Sequence, residues 1–274
     1  MASTEALAAL GDDRYLSLMT KRVFQAGFAW RVIEQKWPGF ETAFRAFDPE
    51  HCAALDGPGL EALAADARIV RNRQKIASVP RNARFVLDVA QTHDSFAHWI
   101  AAWPAEQIVD LWRELARRGA RLGGMSACIF LRMAGKDSFQ LTGDVVALLV
   151  ANNVVSKQPT TRAELAACQA VFNAWAAESG RPLAHVSRIC ALSVGDNWMR
   201  SDEPPPPFLL DPEYAYCPNM FMLVGLSLNV HKAMNSLTSA CMVEGTFDSS
   251  KAVDKENLVN PLQQSGLKLS EFLK

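Results

Sequence analysis

The amino-acid sequence predicts an all-α fold, and three observations carry that prediction. Apolar residues recur at helical spacing from about residue 4 to residue 193. Alternation with a period of two, the mark of a half-buried strand, is almost absent. The interruptions fall on Gly, Pro or capping residues, where helices end and begin. No internal repeat is visible.

The segments follow in order. Segment 12–25 sets Tyr15, Leu16, Met19, Val23 and Phe24 on one side, with charges opposite. Segments 29–37 and 38–47 continue the pattern, and Trp37-Pro38-Gly39 predicts a break between them. Asp48-Pro49 predicts a helix start, since proline fits the first turn. Gly57-Pro58 punctuates the chain before a helix over 59–65. Segment 71–89 reads as helical apart from Pro80, and 94–101 as a short helix ending before Trp103-Pro104. Segment 105–118 is strongly amphipathic and stops at Gly119. Helices are predicted over 127–134, ended by Gly135, and from about Gly143 to Asn152. Thr161-x-x-Glu164 is a capping-box pattern that opens a helix over 162–179. Gly180-Arg181-Pro182 closes it, and 183–194 forms the last helix.

Near Ser201 the texture changes. Pro204 to Pro207 predict a stiff linker over 201–207, followed by a poorly patterned tail over 208–274 to which the sequence assigns no fold. Residues 1–200 are the expected helical domain. After Arg200 there are nine acids and five lysines, a net −4, which leaves +3 for residues 1–200. Any contact with a polyanion therefore belongs to the first part, through local clusters rather than bulk charge.

With 49% hydrophobic residues the chain can bury a sizeable core, which excludes wholesale disorder. The six cysteines show no CxxC spacing and no tight Cys/His cluster, so neither a metal nor another cofactor is expected. They read as small buried hydrophobes in a reducing compartment. The N-terminus has no basic stretch leading into an apolar run, and the longest apolar stretch, 220–228, is far shorter than the roughly 20 residues of a membrane span. The expectation is a soluble, cytoplasmic protein with no membrane contact.

Chemistry is concentrated between residues 119 and 126. An amphipathic helix, a hairpin holding Gly123 and Gly124, and a new helix from about Ser126 follow one another. Two glycines let backbone approach a ligand closely, and the free N–H groups of the next helix form an anion site that needs no charged side chain. A DNA phosphate fits that description. A plain helix–helix turn with a glycine cap gives the same pattern.

Four segments raise the specificity. Gln25-Ala26-Gly27-Phe28-Ala29-Trp30, Phe44-Arg45-Ala46-Phe47-Asp48-Pro49, Ile69-Val70-Arg71-Asn72-Arg73-Gln74-Lys75-Ile76 with Asn82-Ala83-Arg84, and the hairpin 121–126 occur in one order. That set resembles the 3-methyladenine DNA glycosylase I family over about residues 13–195. The resemblance implies a helix-hairpin-helix DNA glycosylase fold. It also implies base-excision repair: hydrolysis of the N-glycosidic bond of an alkylated purine, 3-methyladenine first among them, after the base is flipped from duplex DNA.

Three jobs follow from the resemblance. Gly123, Gly124 and Ser126, with Arg121 leading in, are expected to hold phosphates. Phe28 is expected to fill the hole in the stack, and Trp30 to stack on the flipped base, which is worth roughly 1–3 kcal/mol. Either aromatic is also compatible with core packing. Arg22 and Phe24 are expected in the base pocket. Arg22 stands eight residues before Trp30, where the family carries a glutamate, and an arginine repels a cationic alkylpurine. The family's zinc clip finds no matching cysteines or histidines. Asp144 is the expected catalytic carboxylate, stabilising an oxocarbenium-like transition state and helping activate water; its other reading is an N-cap of the following helix. Cys128 stands near the position of the lysine nucleophile of bifunctional relatives, so a Schiff base is not expected. The runs Arg71, Arg73, Lys75 and Arg113, Arg117, Arg118, Arg121 are candidate phosphate contacts or solvated faces. A DNA-binding relative without excision, and a helical interaction module with an acidic tail, are the alternatives.

Overall fold

The computed structural model describes residues 1–194. The linker over 201–207 and the tail over 208–274 lie outside the described residues. All regular structure among the described residues is helical. The α-helices are α1 (Thr4–Ala9), α2 (Asp12–Gln25), α3 (Trp30–Ala43), α4 (Pro49–Ala53), α5 (Gly57–Ala65), α6 (Arg73–Ile76) and α7 (Ser78–Ala90). They continue as α8 (Phe96–Ala102), α9 (Ile108–Arg118), α10 (Met125–Met133), α11 (Gly143–Ala151), α12 (Arg162–Ser179) and α13 (Leu183–Leu192). No helix among the described residues is long and apolar enough to cross a membrane.

These helices fall into two compact units, residues 1–140 with 182–184, and residues 141–181 with 185–194. In the first unit, Leu16, Phe24, Ile33, Phe40, Phe44, Phe47, Cys52, Ile69, Ile76, Val79 and Ala83 form one buried cluster. Glu41 ties α2 to α3. Its carboxylate accepts from the Arg14 guanidinium at 3.1 Å twice, from Ser17 Oγ at 2.9 Å and from Trp37 Nε1 at 3.0 Å. Asp12 reaches across to accept the first free N–H groups of α8, at Phe96 and Ala97.

Two sequence expectations fail here. The break at Trp37-Pro38-Gly39 is absent, and α3 runs through Pro38 to Ala43. Packing overrides the proline. Trp37 stacks on Phe40 and Phe47, and Gly39 lies so close to the Arg68 carbonyl that an added Cβ would come within 2.5 Å of it. The helix expected to reach residue 47 stops short of Phe44 for a different reason. Arg45, Ala46 and Phe47 carry φ of 49°, 55° and 61°, a left-handed turn without glycine. Each such residue costs about 1–2 kcal/mol. Arg14 donates to the Ala46 carbonyl, and Phe47 stacks on Phe44 at 5.3 Å, which together hold the turn.

Other boundaries follow the expected chemistry. Asp48 caps α4 with Pro49 in its first turn, and Ser95 caps α8. Pro80 sits within the first turn of α7, where its missing N–H has no helical partner to lose. In the second unit Thr161 and Glu164 form a complete capping box at the start of α12, and Gly180 ends it at φ 64°.

Candidate functional site

Three segments of the first unit meet around the short helix α6. The connection between α2 and α3 presents Phe28 and Trp30, exposed by 44% and 56%. Solvent-facing aromatics of this size on neighbouring positions are unusual, because both forgo burial. Gly27 turns the chain there at φ 69°, and Phe28 N–H donates to the Gln25 carbonyl. Lys75 on α6 fastens this connection. Its ammonium donates to the carbonyls of Phe24 at 3.1 Å and Ala26 at 2.7 Å, and lies 5.9 Å from the centres of both the Phe24 and Phe28 rings.

The hairpin is the second segment. Helix α9 ends against Gly119, Arg121 adopts φ 63°, and Gly124 adopts φ 57° with ψ −135°, a conformation that side chains disfavour. A Cβ added at Gly123 or Gly124 would meet nothing within 4 Å, so the outer face of the turn is open to an approaching ligand. From α6, Gln74 Oε1 accepts from Arg121 Nη2 at 2.6 Å. From α7, the fully buried Asn82 donates to the Ala120 carbonyl at 3.2 Å and accepts from Ala120 N–H at 2.6 Å. Adjacent residues of α6 therefore hold the aromatic connection and the hairpin, and Asn82 fixes the hairpin's entry.

The third element is Arg22 in α2. It is 8% exposed, and its Nε is buried without a hydrogen-bond partner. Burial lowers its affinity for the proton. Lys75 is shifted the same way, by burial first and then by repulsion from Arg121 and Arg22. Cys128, in the first turns of α10, has its thiol pushed up to about 12 by burial, and Sγ donates to the Met125 carbonyl at 3.2 Å. It is therefore kept protonated. The electrostatic character of this neighbourhood is cationic.

Several expected roles change in this geometry. Phe24 is fully buried, edge-on to Phe40 at 4.7 Å, and offers no surface to a base. Ser126 N–H already donates to the Gly123 carbonyl at 3.2 Å, so it closes the turn instead of pointing at a phosphate. Lys75 is buried rather than part of a phosphate-facing run, and Arg73 pairs with Glu61. Arg113 and Arg117 pair with Asp110 and Glu114 on their own helix, and Arg118 lies over the Phe85 ring at 4.7 Å. Arg121 is the member of that run that the hairpin presents. Asp144 belongs to the second unit, in the first turn of α11, and the cap there is Thr142, whose Oγ1 accepts from Val145 N–H. The alternative reading of Asp144 as the N-cap therefore fails. Among the described residues, no three His, Cys, Asp or Glu side chains converge as a metal site. His93 and His98 engage the neighbouring Thr92 and Ser95 hydroxyls.

Sequence reasoning gave no role to Asn82 or Gln74. Asn82 did carry a signal: it is a polar residue on the apolar stripe that Val79, Ala83 and Val86 define on α7. Gln74 carried none.

The family model described as methyladenine glycosylase matches residues 7–147, which contain Arg22, Phe28, Trp30, α6 and the hairpin. The chain belongs to the methyladenine glycosylase family. Among relatives, DNA-3-methyladenine glycosylase 1 of Escherichia coli (strain K12) is 34% identical over 76 residues, which is 28% of this chain and 41% of that protein. DNA-3-methyladenine glycosylase of Haemophilus influenzae is 26% identical over 76 residues, with the same shares. The matched stretch thus spans about two-fifths of these relatives. A crystal structure of a 3-methyladenine DNA glycosylase I matches with a TM-score of 0.40 and 25% identity, over 46% of this chain and 79% of that one. The 3-methyladenine DNA glycosylase I of Staphylococcus aureus matches with a TM-score of 0.42 and 23% identity, over 46% and 77%.

Proposed function

We propose that this methyladenine glycosylase family member is a monofunctional DNA glycosylase: it binds duplex DNA at the hairpin, flips one damaged base, and hydrolyses its N-glycosidic bond. The single observation that carries the reading is the shared footing of two surfaces. Gln74 holds the open two-glycine hairpin through Arg121, and Lys75 holds the connection that presents Phe28 and Trp30. Backbone amides of the hairpin and Arg121 take phosphates, Phe28 fills the stack, and Trp30 lies against the displaced base. The bond from C1′ to the base nitrogen breaks, water adds at C1′, and the base leaves with a proton. Asp144 is the proposed carboxylate for that water. No amine nucleophile takes part in this reading, because Cys128 stands near the position at which bifunctional relatives carry their lysine. The names of the relatives make 3-methyladenine the reference substrate.

The test measures release of free base from methylated duplex DNA together with duplex affinity. Release that disappears, along with affinity, when Gly123 and Gly124 are both replaced by valine supports the reading. Full affinity in that variant removes the hairpin from it, and absence of both binding and release contradicts it outright.

A further inference from the structure

Arg22 is a buried cation that the described part of the protein leaves without a counter-charge. It forms no ion pair among the described residues, and its buried Nε has no acceptor. Desolvating a guanidinium without pairing it is strongly unfavourable, so such a group persists where a ligand supplies the acceptor. One helical turn on, Gln25 is 4% exposed, and its Oε1 is a second buried atom without a partner. Gln25 Nε2 is committed to Glu34 Oε1 at 3.1 Å, which fixes the oxygen as the free end of the amide. Positions 22 and 25 lie on one side of α2, as i and i+3 always do. Arg22 contributes a charged donor and Gln25 a neutral acceptor, each without a partner among the described residues. Arg22 also lies near Cys128 in the first turns of α10 and near Lys75, which fastens the segment bearing Phe28 and Trp30.

We infer that the base this site accepts is a neutral one with a lactam edge, a carbonyl beside an N–H, such as a deaminated or oxidised base carries, and that cationic alkylpurines are disfavoured. Arg22 donates to the carbonyl, and Gln25 Oε1 accepts from the adjacent N–H. The chemistry of departure agrees. When a cationic base leaves, the electron pair of the broken bond neutralises it, and a nearby cation gives no help. When a neutral base leaves, that pair makes it anionic until it takes up the proton released by the attacking water, and a guanidinium stabilises the developing charge. Water's hydroxyl ends on C1′, its proton on the base, and nothing else is consumed.

This inference rests on the base-excision reading above, and its test separates the two. The full-length protein is given duplexes that differ in one base: hypoxanthine, uracil or 8-oxoguanine for the lactam class, and 3-methyladenine for the cationic class. Affinity is read on 2′-fluoro sugars, which block hydrolysis, and release on ordinary sugars. The expected result is an affinity for at least one lactam base on the order of tenfold above that for 3-methyladenine, the range of a hydrogen bond to a charged group. Arg22→Gln abolishes the preference, and Arg22→Glu turns it toward 3-methyladenine, with thermal unfolding followed to show that each variant folds. If neither variant folds, the preference of the unaltered protein decides.

A preference for 3-methyladenine overturns the inference while leaving excision intact. Equal affinities overturn it as well. A lactam preference unchanged by Arg22→Gln overturns the role of Arg22. An Arg22→Gln variant that loses affinity equally for damaged and undamaged duplexes marks Arg22 as a phosphate ligand, which also overturns the inference. A lactam preference in affinity with no base released supports the inference and contradicts excision.

Discussion

The Lys75 ammonium lies 2.7 Å from the Ala26 carbonyl, at the point where α2 gives way to the segment bearing Phe28 and Trp30. This single contact makes a residue of a basic-looking run into a support for the exposed aromatics. Lys75→Met removes it without changing side-chain length much. The variant is expected to bind duplex DNA on the order of tenfold more weakly, because the Phe28 segment loosens. The salt dependence separates support from direct contact. The slope of log affinity against log salt stays unchanged in Lys75→Met, whereas Arg121→Gln lowers it by about one phosphate's worth. A reduced slope in Lys75→Met would return Lys75 to the phosphate contacts.

Asn82 fixes the hairpin from the core side with two hydrogen bonds to one residue, Ala120. Asn82→Leu leaves a buried N–H and a buried C=O of Ala120 unpaired. The expected loss is about 2–5 kcal/mol of stability, seen as a lowered denaturant midpoint at unchanged m-value. DNA affinity falls with it, measured at a temperature where the variant remains folded. A stability change below about 0.5 kcal/mol would show that the hairpin does not depend on Asn82.

Asp144→Asn keeps shape and removes charge. Its cap neighbour Thr142 is untouched, so α11 keeps its N-terminal hydrogen bond and stability changes little. Base release is expected to fall by roughly a hundredfold or more in single-turnover assays, while duplex affinity holds. Full release in this variant would remove Asp144 from the chemistry.

The capping box of α12 titrates in acid. Glu164 accepts the N–H groups of Thr160 and Thr161 and the Thr161 hydroxyl, and these hydrogen bonds lower its pKa from 4.5 to about 2. Its folded pKa lies below its unfolded one. The contribution is therefore fully present above pH 4.5 and is lost as pH falls toward about 2. Glu164→Gln keeps the box geometry and abolishes the titration. Stability measured against pH for the two proteins should diverge in slope only in that acid window, and parallel curves there would contradict the assignment.

Helix order was legible where caps and glycines carry local chemistry. Asp48 before Pro49, Gly119 after α9, and Thr161 with Glu164 all end or begin helices in the structure as their residue types require. Pro38 misled, because α3 is held in place there by the close packing of Gly39 against Arg68, twenty-nine residues further on, which has no local signature. The left-handed turn at Arg45, Ala46 and Phe47 was invisible for the same reason, since its hold comes from Arg14, thirty-two residues earlier than Ala46. At the site, the hairpin glycines and the exposed Phe28 and Trp30 were legible as motifs. Arg22 was legible as an anomaly of charge, but its burial was not. The supporting hydrogen bonds from Gln74, Lys75 and Asn82 span 38 to 51 residues of sequence, and no spacing rule reaches that far.

The central claim is that this protein releases a base by hydrolysis alone, and single-turnover incubation with end-labelled duplex DNA carrying defined damaged bases tests it most directly. Free base in solution and an intact strand that breaks at the lesion only after alkali are the expected result. Strand cleavage without alkali, or no free base from any lesion at protein in excess over DNA, would contradict it.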